Sequence, residues 1–167
     1  MTFRLTIGVD PGCGGALAFV ADGVAIALHD MPVMPRKAGG MQVNAAELAA
    51  LLRGTFHAHA GAYIVAVLEA VSAMPGQGVS SMFRFGESYG VVRGVLGTLG
   101  IGIVPALPQV WKRRMGLTGA DKDVARTVAI ERFPALAAQL ARKRDVGRAD
   151  ALLMAVWAEL TEAVAAA

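Results

Sequence analysis

Apolar residues gather in short runs through the first third of the chain and settle into helical repeats over the last. Leu5 to Val9, Ala16 to Val20 and Val24 to His29 are runs of strand length joined by tight turns. The first turn carries Pro11, Gly12, Gly14 and Gly15; the second is Ala21-Asp22-Gly23, whose Asp-Gly pair favours a hairpin. The pattern predicts an antiparallel meander at the N-terminus. Pro32 to Met41 has no period, and its prolines, glycines and basic residues predict a mobile loop.

Asn44 reads as an N-cap for a helix with Leu48, Leu51 and Leu52 on one face. Tyr63 to Leu68 is a continuous apolar run of the kind covered on both faces in a sheet centre, and it ends on Glu69. Ala70 to Val79 reads as loop, Ser80 or Ser81 opens a helix with Phe83, Phe85, Tyr89 and Val92, and Ile101 to Val104 is a further strand ended by Pro105. Helices follow: a short basic one from Pro108 to Met115, another from Asp121 to Phe133, a linker over Pro134 to Arg144, and a closing helix from Arg148 to Ala166. The fold class is therefore α/β, a mixed five-stranded sheet with helices on both faces, as one domain over 1–167.

Composition sharpens this picture in two ways. The chain is 55% hydrophobic with mean hydropathy +0.51, yet no stretch of 18 residues lacks polar punctuation, so no membrane span is expected. The N-terminus runs directly into a strand, leaving no room for a signal peptide, and the single Cys13 excludes an internal disulfide or a multi-cysteine zinc site; a cytoplasmic setting is expected. Net charge is +3, but Ala106 to Arg148 holds ten basic against four acidic residues, leaving the remainder net negative. That asymmetry points to a polyanion partner, with an ordinary solvated surface as the alternative.

Three acids fall where chemistry is expected. Asp10 and Glu69 close apolar strands, and ligands of open α/β sheets gather at the carboxyl ends of strands. Asp150 lies in the first turn of the closing helix as read from sequence. Carboxylates that converge raise one another's pKa unless a cation neutralises them, and hard oxygen donors select Mg²⁺ or Mn²⁺. Taken singly, Asp10 could instead cap its turn and Asp150 its helix.

The Gly8-to-Gly15 region with Asp10, the strand end Val67-Leu68-Glu69, and Ala149-Asp150-Ala151-Leu152 together resemble the RuvC family of Holliday junction resolvases. Met74 to Ser80 and Ser81 to Gly86 are similar to a run in its phage-type branch, and the likeness extends from Thr6 to Trp157. The resemblance implies an RNase H-like fold and a Mg²⁺-dependent endonuclease, Mn²⁺ also serving, with two ions per active site held by Asp10, Glu69 and Asp150. Its substrate would be a four-way junction or other branched DNA. The family's fourth ligand position is Gly147 here; Asp145 is the nearest substitute, or else a helix cap.

By the same resemblance Lys112 and Lys122 would contact phosphate, Lys122 stabilising transition-state charge. Arg113, Arg114, Arg126, Arg142, Lys143 and Arg144 would make the wider DNA surface. The family inserts an aromatic from the loop after Glu69 into the junction centre; this sequence has none there, and Met74 would be the wedge in its place. The glycine-bearing helix from Ser81 to Leu99 would pack against a second copy in a homodimer. His29, His57 and His59 have no catalytic role in this reading. Two alternatives stay open: a fragment of an actin-like or sugar-kinase-like ATPase using Asp10-Pro-Gly-Cys-Gly-Gly as its phosphate loop, and a branched-DNA-binding module weakened in catalysis at Gly147.

Overall fold

The structure is a computed structural model that describes residues 4–73 and 75–161, with Lys122 described by its backbone alone. Three N-terminal strands, β1 (Arg4–Val9), β2 (Ala16–Ala21) and β3 (Val24–Asp30), form the expected meander. Asp22 and Gly23, both at positive φ, make the turn between β2 and β3. After a small hairpin of β4 (Val33–Pro35) and β5 (Met41–Val43), helix α1 (Ala45–Ala58) crosses over to β6 (Tyr63–Glu69), which lies parallel to β1. Helix α2 (Val79–Thr98) then leads to β7 (Gly102–Ala106), parallel to β6. The sheet order is β3-β2-β1-β6-β7, a mixed five-stranded sheet. Helices α3 (Pro108–Arg114), α4 (Lys122–Arg132) and α5 (Val146–Leu160) complete the chain.

Strand alternation divides the core in two. Leu5, Ile7, Val9, Leu17, Phe19 and Leu68 face the side covered by α1 and α2, with Leu48, Leu52, Val92 and Leu96 against them. The opposite face of the same strands carries small residues, Ala16, Ala18 and Val65, and meets α5 through Ala151, Ala155 and Ala158. Small against small lets helix and sheet approach closely. At the tightest point a methyl group on buried Gly8 would stand 1.8 Å from the Ala151 carbonyl oxygen. That proximity brings the start of α5 beside the end of β1.

Several boundaries differ from the sequence reading. The expected mobile loop contains the β4–β5 hairpin: its turn uses Gly39 and Gly40 at positive φ, and Arg36 reaches from it to Glu87 of α2 as an ion pair. Strand β7 continues through Pro105, which sits opposite Leu68; β7 is an edge strand, so a missing N–H on its open side costs nothing. The linker before α5 holds two 3-10 turns, Pro134–Gln139 and Lys143–Asp145. Helix α5 begins at Val146, two residues earlier than read, which moves Asp150 from the first turn to the second. Met74 lies outside the described residues, as does the side chain of Lys122.

Candidate active site

The turn after β1 is built to hold Asp10 still. Its backbone N–H donates to the Ala16 carbonyl at 3.0 Å, closing the strand end, and the Gly12 N–H donates to its Oδ1 at 3.4 Å. Gly15 is required by geometry: a methyl group there would fall 2.2 Å from the Asp10 carbonyl oxygen. The parallel register of β1 with β6 runs from Arg4 opposite Tyr63 to Val9 opposite Leu68, so Asp10 and Glu69 emerge side by side. Asp150 arrives from α5. With Lys112 and Lys143 among the other lining residues, Asp10 and Asp150 border a cleft of about 390 Å³.

Electrostatics mark the meeting of the three acids. Burial, followed by the charge of Glu69, pushes the Asp10 carboxyl up to about 7, and Asp150 adds to the rise; the Gly12 N–H and Lys112 oppose it. Burial also raises Glu69, against Lys112 and a hydrogen bond from the Trp111 indole. Like charges are thus gathered in a place poor in water with only partial compensation. Among the described residues no three acidic, histidine or cysteine side chains stand in ligating distance of one point.

The other expected basic residues whose side chains are described separate into three groups. Lys112, Lys143 and Arg144 line the cleft. Arg113 and Arg114 point elsewhere, into a surface groove beside Trp157 and Thr161. Arg126 is not a free cation: it donates to the Leu140 and Ala141 carbonyls at 3.2 and 2.8 Å and to Asp123 at 2.8 Å, strapping α4 to the segment before α5. Arg142 is likewise engaged, its guanidinium on both oxygens of Asp145.

Asp145, the expected substitute for a fourth acid, is thus engaged by Arg142. It is 2% exposed, accepts the Arg142 backbone N–H at 2.8 Å as well as the guanidinium, and those bonds hold its carboxyl below the usual range. A side chain at position 147 would force its neighbours to shift. A methyl group on Gly147 would stand 2.7 Å from the Gly14 carbonyl oxygen, 2.9 Å from Gly15 Cα and 3.1 Å from Asp10 Oδ2. The first turn of α5 packs directly on the glycine turn, and the glycine is what permits the contact.

Three features escaped the sequence reading. Arg148 donates to both oxygens of Asp30, at 2.6 and 2.9 Å, and to the Gln139 carbonyl, fixing α5 against β3. Asp121, the N-cap of α4, lines the cleft. Trp111 is wholly buried, and its indole N–H donates to Glu69 Oε1 at 3.3 Å. A large apolar residue immediately before Lys-Arg-Arg was the available signal for the last of these.

No family model matches the chain. Over 122 residues, 72% of this chain, it is 34% identical to the chloroplastic Holliday junction resolvase MOC1 of Chlamydomonas reinhardtii; the chain spans 14% of the length of that curated relative. Among solved structures it is similar to RuvC of T. thermophilus in complex with a Holliday junction substrate, with TM-score 0.58 and 17% identity over 95% of this chain and 94% of that one. A second structure of Thermus thermophilus RuvC gives TM-score 0.54 and 11% identity over 95% and 97%. These solved structures establish the fold, RNase H-like and of the RuvC type.

Proposed function

From a chain that is a homologue of a Holliday junction resolvase and has the RuvC fold, we infer a metal-dependent endonuclease that resolves four-way junctions or related branched DNA by phosphodiester hydrolysis. The observation that supports this reading is Asp10 at the carboxyl end of β1 beside Glu69 at the end of β6, where burial, then the charge of Glu69 and, more weakly, that of Asp150 on α5 raise Asp10 to about 7. A surplus of buried negative charge built only from carboxylate oxygens fits a hard divalent cation such as Mg²⁺ or Mn²⁺. Two such ions would supply Lewis-acid activation of water and stabilisation of the leaving 3′ oxygen, giving 5′-phosphate ends.

The chain's own residues supply the rest. Asp10, Glu69 and Asp150 would hold the cations, and Gly14, exposed at the cleft with no side chain, would let a phosphate backbone come close to them. Lys112, Lys143 and Arg144 meet phosphates at the cleft wall, and Lys122, which opens α4, serves transition-state charge. Arg113 and Arg114 serve a more distant stretch of backbone. We assign Arg126 and Arg142 to the scaffold instead. With a glycine at position 147 and Asp145 held by Arg142, the metal set would comprise three carboxylates from this chain.

A homodimer suits a substrate with two symmetric strands to cut, and α2 supports it. Its buried side is Ser88, Val92 and Leu96, while Gly86, Gly90, Gly94 and Gly97 are open and Val79 and Phe83 are 79% and 73% exposed. A ridge without side chains flanked by apolar ones permits close packing of two helices.

A synthetic four-way junction is expected to be cut in Mg²⁺ and left intact by Asp10→Asn, with linear duplex, flap and RNA–DNA hybrid cut more slowly. Tight junction binding without cleavage in Mg²⁺ or Mn²⁺ would overturn the reading. Preference for the hybrid would turn it into a ribonuclease.

A further inference from the structure

We propose that Trp111 is a positioning residue whose indole N–H aims the Glu69 carboxylate and whose ring face seats Lys112, so that one side chain arranges both the acid that neighbours Asp10 and a cation of the cleft; this rests on the metal-dependent nuclease reading above.

The geometry begins in the sheet. Glu69 pairs with Ala106 in the β6–β7 register, and the next N–H, of Ala70, donates to the Ala106 carbonyl at 2.8 Å. Leu107 then caps α3, with Pro108 at its first position, and the Trp111 backbone N–H closes the first turn on the Leu107 carbonyl at 3.1 Å. One helical turn from a point pinned to the sheet, the indole is delivered back onto Glu69. It is 0% exposed, and a buried indole N–H needs an acceptor. That acceptor is Glu69 Oε1 at 3.3 Å.

The type of donor matters. An arginine in this place would orient the carboxylate and also cancel its charge, as Arg142 does for Asp145. An indole orients it and stays neutral, so Glu69 keeps its full charge for a cation. Oε1 is held, and Oε2 is left to ligate. On the face of the same ring, the Lys112 ammonium lies 5.2 Å from the centroid, within cation–π range. Lys112 lines the cleft beside Asp10 and Asp150, so the ring also fixes the height at which this ammonium enters it.

Trp111→Phe keeps the buried ring and its face and removes only the N–H. Mn²⁺ binding, read by the electron paramagnetic resonance of the free ion, is expected to weaken about 10- to 100-fold while the melting temperature stays near that of the wild type. A folded Trp111→Phe with unchanged Mn²⁺ affinity overturns the proposal. Should that variant fail to fold, the indole N–H resonance of Trp111, assigned with Trp157→Phe, tests it in the intact protein. It is expected to move on addition of Mg²⁺ and in Glu69→Ala, and a resonance that ignores both overturns the role. If the wild type cuts junctions and binds Mn²⁺ while Trp111→Phe binds it equally well, only the role of Trp111 falls. If the wild type binds no Mn²⁺ and cuts nothing, the nuclease reading falls and takes this proposal with it.

Discussion

Asp10 and Asp145 are both withdrawn from bulk water, and their surroundings drive them in opposite directions. Asp145 lies under Arg142 and accepts four hydrogen bonds from it, so its charge is matched inside the chain and its carboxyl is held low. Asp10, beside the glycine two residues beyond Asp145, is buried with two acids for neighbours, and burial first and their charge second push it up to about 7. The first arrangement is complete. The second keeps a surplus of negative charge that the proposed function assigns to a cation, and this difference would separate a carboxylate used for architecture from one used for chemistry.

The largest expected effect breaks the pair apart. Asp10→Asn should lower junction cleavage by about a thousandfold or more, the several kcal/mol that a lost metal ligand forfeits, while raising the melting temperature in EDTA at neutral pH because a repulsive charge is gone. Asp145→Asn should do the reverse, lowering the melting temperature and leaving Arg142 without its anion. Two variants that shift stability in the same direction would erase the distinction.

Gly147→Ala tests whether the turn of Asp10 and the start of α5 are in obligatory contact. The added methyl meets Gly14, Gly15 and Asp10 within 3.1 Å, mostly backbone that cannot swing away, so a loss of about 1–3 kcal/mol in denaturant titration is expected.

Acidity then sharpens the contrast. Asp10 in the folded protein titrates near 7 instead of 3.8, so folding binds a proton there and metal-free stability falls as pH rises from about 4 to about 7. Asp145 and Asp30 are lowered, so their contributions are present above the ordinary carboxyl value and are lost as pH drops through the depressed ones. Melting temperature in EDTA should peak in the weakly acid range, and Mg²⁺ should lift the neutral side of that curve. A metal-free curve still rising to pH 8 would contradict the assignment of Asp10.

The smallest effect concerns the cations. Lys143→Ala and Arg144→Ala should each reduce the salt slope of junction binding by about one, whereas Arg126→Ala should leave the slope alone and lower stability.

Much of this molecule could be read from its sequence because local rules and tertiary demands agree there. The meander follows from short apolar runs and an Asp-Gly turn, α1 from Asn44, whose side chain does accept the Glu47 N–H, and the strand-end acids from apolar runs that stop on Asp10 and Glu69. What was illegible depends on contacts between distant residues. Arg142 and Arg126 look like any surface cations in a basic stretch; only the fold shows that Asp145 and two carbonyls already occupy them. The hairpin at Val33–Pro35 and Met41–Val43 is too short for a period to show, and its ion pair to Glu87 spans 51 residues. Gly147 reads as a departure from a family pattern, yet its reason lies in the packing of the turn after β1.

Gly8 sets the gauge between helix and sheet. A side chain there would act as a shim under α5, lifting Asp150 away from Asp10 and Glu69 together with everything else on that helix. In a mutational screen such a change would look like the loss of a catalytic residue, although position 8 faces no cleft and carries no chemistry. The spacing of three charges is thus recorded in a residue that has no side chain, and tolerance at that buried position would measure how much misalignment the acidic cluster withstands.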